Sequence, residues 1–215
     1  DLSDNHVRVT TKNGSIKADR VILACNGYLG NLEKGLTSKI LPMNNYIVAT
    51  KPLDDETVKR INPRDIAFAD SRFVINYFRL SADKRLLFGG GENYSQELSK
   101  NIVPIVTRPL EKIYPFLKGV KIDYAWGGKL AITMNRLPFF TTLKNERVIS
   151  AQGYSGQGVA LASYSGKIVS EKILGSGETF DIMAKIPRQS FPGGRFLRNP
   201  SMKLGMLYYS LLDRI

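Results

Sequence analysis

The chain has 215 residues, 43% hydrophobic and 10% aromatic, which is enough to build the core of one large or two small domains. Its 31 basic residues outnumber 19 acidic ones for a net charge of +12, yet they are scattered rather than gathered in a tract, which argues against a nucleic-acid partner and for a solvated surface that can draw in an anionic cofactor or substrate. The lone Cys25 excludes an internal disulfide, no run of 18 apolar residues offers a membrane span, and no secretory leader is visible, so a cytoplasmic protein is expected.

Val7, Val9 and Thr11 alternate with polar residues up to Asn13-Gly14, which predicts a β-hairpin. The run Ala18-Asp19-Arg20-Val21-Ile22-Leu23-Ala24, ending at Asn26-Gly27, predicts a buried strand of the parallel type. A hairpin feeding such a strand lacks sheet neighbours, so an N-terminal portion outside these 215 residues is expected. From Asn45 the texture becomes alternating β, at Tyr46–Thr50, Phe73–Leu80, Leu86–Gly89 and Lys121–Trp126, with Ser81–Lys84 as a turn. Between the last two, Gln96–Leu117 carries Ile102, Ile105, Val106, Leu110, Ile113, Phe116 and Leu117 at a helical period, with Pro104 and Pro109 placed to shorten or interrupt the helix. The expected organisation is an α/β (α+β) fold: residues 1–44 and 147–178 form two pieces of one domain, with an antiparallel sheet and helix of 45–146 inserted between them. Residues 179–215 form a tail whose Leu204, Leu207, Tyr208, Leu211 and Leu212 fit a docked helix.

Val148-Ile149-Ser150-Ala151 leads into Gly153-Tyr154-Ser155-Gly156-Gln157-Gly158, and Val159–Leu174 follows with helical character. Strand, glycine loop and helix in that order let a backbone approach a flat ligand, and the helix end points unpaired N–H groups and a positive dipole at it. Loops of this kind also serve as plain structural turns.

The hairpin with Ala18-Asp19-x-Val21-Ile22-Leu23-Ala24-x-x-Gly27 resembles the second FAD motif of glutathione-reductase-type flavoproteins, and Gly153–Gly158 with its helix resembles their C-terminal FAD motif. Trp126-Gly127-Gly128 with Thr133 and Pro138 resembles the signature of the D-amino-acid-oxidase or glycine-oxidase class. Within that class Tyr77–Gly91, Lys121–Trp126 and Phe191-Pro192-Gly193-Gly194-Arg195 look like the gamma-glutamylputrescine oxidases. The resemblance spans the chain. It implies an incomplete glutathione-reductase-type FAD-binding domain with an inserted antiparallel-sheet substrate domain. The implied chemistry is oxidation of the free amine of an N-linked putrescine, hydrolysis of the imine to an aldehyde, and transfer of the electrons to molecular oxygen as hydrogen peroxide. FAD would contact Ala24, Asn26, Gly27, Gly153, Tyr154, Ser155, Gly156, Gln157, Gly158 and Val159. The cofactor performs the hard chemistry, so no catalytic side chain and no metal is assigned. The helix end would stabilise charge developing at the flavin's pyrimidine edge, by about 0.3–1 kcal/mol and up to roughly 2 when partly buried.

Two departures bear on substrate. Amino-acid oxidases of the class hold the α-carboxylate with arginines, and the matching positions here are Leu130 and Gly156, neither of which offers a bidentate donor. An amine without an adjacent acid is therefore expected. The histidine of the family's C-terminal loop is replaced by Gln157, which can hydrogen-bond the flavin without carrying charge. Tyr77 and Arg79 share a strand face and are candidates for an aromatic wall and an anchor for the distal carboxylate, with ordinary cross-strand packing as the alternative. Trp126 is a candidate for substrate contact or core packing, and His6 and Cys25 read as structural. Residues 1–215 contain no Gly-x-Gly-x-x-Gly turn to grip the pyrophosphate, which again points to a missing N-terminal FAD-binding portion, on the same chain or another. Oxidation of another amine or amino acid, or a binding module without FAD, are the remaining readings.

Overall fold

The computed structural model describes all residues except 1, 4–5, 73–74, 94–96, 195–196, 198–199, 201–203, 206–207 and 209–215. The strands are β1 (Leu2–Ser3), β2 (His6–Thr11), β3 (Gly14–Ala18), β4 (Val21–Leu23), β5 (Leu41–Thr50), β6 (Phe68–Ala69), β7 (Tyr77–Leu80), β8 (Leu86–Asn93), β9 (Ile122–Ile132), β10 (Phe139–Leu143) and β11 (Val148–Gln152). The helices are α1 (Lys34–Thr37), α2 (Asp55–Ile61), α3 (Val103–Ile113), α4 (Gly158–Ile173) and α5 (Glu178–Ala184). They fall into two units, one of residues 1–42 and 130–198 and one of residues 43–129 and 199–215.

In the first unit the expected hairpin forms as β2 and β3, joined to β1 in an antiparallel sheet. Thr11 faces Gly14 across the turn, so the loop is Lys12-Asn13, one residue earlier than the Asn-Gly pair suggests. The Thr11 hydroxyl secures it, accepting from the Asn13 N–H at 3.2 Å and donating to the Gly14 carbonyl at 3.1 Å. A second sheet runs β10-β11-β4, with β11 antiparallel to β10 and parallel to β4. Every residue of β11 is buried because it lies between two strands and two layers. The pleat sends Ile149 and Ala151 to the face where Phe140, Ile168, Val169 and Phe180 pack, Phe180 meeting Phe140 edge-on at 5.6 Å. Leu29, Leu36, Ile40, Ala131 and Phe139 form another core cluster.

The parallel pairing of β4 is as expected, but its burial is not: Ile22 is 50% exposed. β4 is the outer strand of its sheet, with β11 on one side; Leu23 packs against the cluster of Leu29, Leu36, Ile40, Ala131 and Phe139, and an apolar run cannot reveal that Ile22, on the other face, is left open. The sequence boundary at 146/147 also differs from the division seen, since β10 pairs with β11 along its length, from Phe139 opposite Gln152 to Leu143 opposite Val148. α4 ends in a Schellman motif: Gly175 takes φ +95°, and the Ser176 N–H donates to the Glu171 carbonyl at 2.8 Å.

The second unit is a sheet of order β6-β7-β8-β5-β9 with α3 packed on it. Tyr46, Val48, Leu86 and Phe88 from the sheet and Val106 and Leu110 from α3 are completely enclosed, each large side chain contributing about 1.5–3 kcal/mol by leaving water. α3 is shorter than the periodicity predicts. Residues 97–102 are not helical, and Pro104 sits in the first turn, where a missing N–H is not needed. Pro109 lies inside the helix and leaves the Ile105 carbonyl without its usual donor. Gly91, at φ +67°, approaches that carbonyl so closely that a Cβ would lie 2.5 Å from its oxygen. The same glycine belongs to a bulge, the register passing from Asn44 opposite Asn93 to Tyr46 opposite Gly90.

Of the expected tail helix, Leu204, Gly205 and Tyr208 are helical, while Leu207, Leu211 and Leu212 lie outside the described residues, as do Phe73, Gln96 and Arg195. Among the described residues no helix is long and apolar enough to cross a membrane, and no His, Cys, Asp and Glu group could hold a metal.

Candidate functional site

In the first unit the carboxyl ends of the parallel strands β4 and β11 stand side by side, and the loops after them meet. The Asn26 carboxamide oxygen accepts the Gly153 N–H at 3.1 Å, so two candidate cofactor residues 127 positions apart are joined directly. Ala24 is exposed beside this contact, and Gly27 is buried in the 3-10 turn Asn26–Tyr28. Gly153 adopts φ +81° and packs so tightly that a Cβ would lie 2.5 Å from Thr133 Cγ2. Ser155 braces the loop: its N–H donates to the Ala131 carbonyl at 2.9 Å, and its hydroxyl accepts the Thr133 N–H at 3.2 Å. Thr133 is held in turn by donation to the Leu137 carbonyl at 2.8 Å. Tyr154 is buried and its hydroxyl donates to the Ala151 carbonyl at 3.1 Å, so its side chain supports the loop from within.

The outer part of the loop differs. Gly156 has φ +96° and open space where a Cβ would be, Gln157 is exposed, and Val159 is 99% exposed at the start of α4. The helix has no side-chain cap; its Leu161 N–H bonds to the Gln157 carbonyl, while the first-turn N–H groups before it face the loop opening.

In the second unit Tyr77 and Arg79 lie on β7, two residues apart on one face as expected, Tyr77 half-buried and Arg79 exposed. The Tyr77 hydroxyl donates to the Asn45 carboxamide oxygen. Trp126 is on β9, three strand spacings from β7 or about 14 Å, and is 45% exposed, too open for a core residue. The strand it sits on is fixed by Arg85, whose guanidinium lies 2.6 Å from both Asp83 and Asp123 carboxylates and 5.2 Å over the Tyr124 ring. Hydrogen bonding from Arg85 holds the Asp123 carboxyl below its ordinary pKa.

The family model described as FAD dependent oxidoreductase matches residues 1–172. The chain belongs to this family. It is 38% identical over 208 residues to "Gamma-glutamylputrescine oxidoreductase" of Escherichia coli (strain K12), a match covering 96% of the chain and 49% of that protein. It is 41% identical over 208 residues to "Probable oxidoreductase OrdL" of Rhizobium meliloti (strain 1021), covering 97% and 48%. The chain thus spans about half the length of the curated relatives it matches. Glycine oxidase from Bacillus cereus ATCC 14579 has the same fold, with a TM-score of 0.67 at 15% identity over 88% of this chain and 51% of that one.

The uncapped helix end, the free space over Gly156 and the bare apolar surface of Val159 suit the electron-rich edge of a flat ring. Gly156, Gln157, Gly158 and Val159 would make that contact through the backbone, whereas Tyr154 and Ser155 shape the loop. Two residues of this region escaped the sequence reading. Thr133, quoted only as part of a signature, is the wedge that sets Gly153 and Ser155 in place. Gln152 is fully buried, donates to the Ser150 hydroxyl at 2.6 Å, and leaves its own carboxamide oxygen without a donor among the described residues. Such an atom costs about 1–3 kcal/mol and concentrates at functional loops. A second polar residue, after Ser150, in a short and mainly apolar strand was its only sequence signal.

Proposed function

We propose that the chain contributes to a flavin-dependent amine oxidase whose substrate is gamma-glutamylputrescine, with the activity belonging to an enzyme of the relatives' full length. The observation that carries the reading is the 38% identity to gamma-glutamylputrescine oxidoreductase along 96% of the chain. The site chemistry supports it. Leu130 and Gly156 offer no guanidinium to an α-carboxylate, and an arginine at 156 would have to adopt a φ of +96° that disfavours any side chain. Exposed Arg79 donates through Nε to the Leu80 carbonyl at 3.2 Å, makes no ion pair among the described residues, and suits the distal carboxylate of the glutamyl group. Half-buried Tyr77 and partly exposed Trp126 supply apolar surface for a carbon chain.

When bound, FAD supplies the two-electron acceptor for the hydride leaving the carbon beside the amine, with oxygen taking the electrons on as hydrogen peroxide and water converting the imine to aldehyde and ammonia. The chain's part is positional: the glycine loop and the start of α4 would hold one edge of the ring. Peroxide release by the full-length enzyme tests the proposal. It should be strong with gamma-glutamylputrescine and negligible with glycine, sarcosine or D-alanine, and preferential turnover of a small amino acid would overturn the substrate assignment.

A further inference from the structure

Gly89, Gly90 and Gly91 on β8 are absorbed neither by the cofactor loop nor by the candidate substrate residues, yet each is filled by a specific neighbour. Gly91 receives the Ile105 carbonyl, and Gly90 receives the Asn76 carboxamide, whose oxygen would lie 2.6 Å from a Cβ. Gly89 is directly opposite Tyr77 across the β7–β8 ladder, and a Cβ there would lie 2.2 Å from both Cε2 and Cζ of the Tyr77 ring. The ring is therefore laid flat over the bare backbone of its cross-strand partner. Its hydroxyl continues over β8 to β5, where it donates to Asn45.

Asn45 lies at the bulge, where the register passes from Asn44 opposite Asn93 to Tyr46 opposite Gly90. The extra residue belongs to β8, where Gly91 and Glu92 together stand opposite Asn45, and Asn45 is the single β5 residue at that point that meets the phenol. The base of the ring is pinned as well: Asn76, the residue before Tyr77, donates through its N–H and its carboxamide to Asp70, at 2.9 and 2.6 Å. A half-buried tyrosine tied at both ends over a glycine is immobilised with one ring face committed to the sheet.

We infer that Asn45 and Gly89 are positioning residues that hold the Tyr77 ring flat as the apolar platform for the aliphatic chain of the amine. This rests on the reading of Tyr77 as a substrate-binding residue. Arg79 stands two residues along the same face, about 7 Å away by strand geometry, a separation suited to a substrate with a carboxylate beyond a short carbon chain. Gly89 has an ordinary strand conformation, so Gly89→Ala introduces no backbone strain, and its effect comes through the ring it displaces.

The test is steady-state kinetics of the full-length enzyme with gamma-glutamylputrescine, with FAD content and melting temperature followed for each variant. Tyr77→Ala should raise KM about tenfold, and Asn45→Leu about three- to tenfold, with kcat held within about twofold. Asn45→Asp keeps an acceptor for the phenol and should restore KM to within about threefold of the parent. Gly89→Ala should raise KM in the parent and have no further effect in a Tyr77→Ala background, because the atom it collides with is gone. If Tyr77→Ala raises KM while Asn45→Leu and Gly89→Ala leave it unchanged, the positioning inference is overturned and Tyr77 keeps its role. If Tyr77→Ala leaves KM unchanged, both the role and the inference fall. Should Gly89→Ala not fold, Asn45→Leu and Asn45→Asp decide alone.

Discussion

Replacing Gly153 and Gly156 by alanine, one at a time, separates two physical demands that the glycine loop makes on its sequence. Both residues have left-handed backbone, at φ +81° and +96°, so each alanine costs about 1–2 kcal/mol in conformation alone. At 156 nothing lies within 4 Å of the new methyl group and the cost ends there. At 153 the methyl would sit 2.5 Å from Thr133 Cγ2 and 3.4 Å from Phe139 Cδ1. Thr133 cannot swing aside without its hydroxyl giving up the bond to the Leu137 carbonyl and the 3.3 Å contact with the Ser155 hydroxyl, so overpacking adds about 1–3 kcal/mol. Denaturant unfolding of the full-length apoprotein should therefore place Gly153→Ala lower than Gly156→Ala by about 1–3 kcal/mol. Equal losses would refute the idea that Thr133 wedges the loop, and a larger loss at 156 would refute the assigned geometry.

Arg79→Ala should raise KM for gamma-glutamylputrescine about ten- to a hundredfold more than for free putrescine, because only the former carries the carboxylate; equal effects on both amines would leave Arg79 a packing role. Phe88→Ala, in the core under α3, should destabilise the protein by about 3–5 kcal/mol in a thermal melt, and a loss below 1 would contradict the enclosed position of that ring. Acid should weaken the second unit through Asp123: the Arg85 hydrogen bond lowers its folded pKa from 3.8, so the stabilisation is complete above that value and is lost as pH falls through the lower folded one. Asp123→Asn should flatten that part of the melting-temperature profile, and an unchanged profile would remove Arg85 and Asp123 from the account.

Features written in local sequence are the ones that emerged as expected. Alternation on either side of Lys12-Asn13 specifies β2 and β3, and the apolar run, three glycines and helical period from Val148 specify β11, the loop and α4. What local pattern could not show is set by partners far along the chain. The exposure of Ile22 depends on its being paired with Ile149 on one side of an outer strand. The start of α3 depends on which turn receives Pro104. Residues 139–143 fall inside the expected insert of 45–146 without a strand signal of their own, and only the pairing of β10 with β11 joins them to the first unit. The candidate site divides in the same way. Gly156, Gln157 and Val159 were legible because a glycine loop before a helix has a characteristic spacing. Asn45, Gly89, Thr133 and Gln152 were not, because their importance comes from a bulge, a cross-strand ring, a wedge and an unmatched acceptor.

The central claim is that a gamma-glutamylated diamine, and no α-amino acid, delivers its electrons to the flavin of this family member. Anaerobic mixing of the full-length, FAD-loaded enzyme with each candidate, followed by the flavin's visible absorbance, measures that delivery without dependence on oxygen. The account predicts rapid and complete bleaching by gamma-glutamylputrescine and an unchanged spectrum with glycine, sarcosine or D-alanine. Bleaching by any of the three amino acids with gamma-glutamylputrescine inert would contradict it.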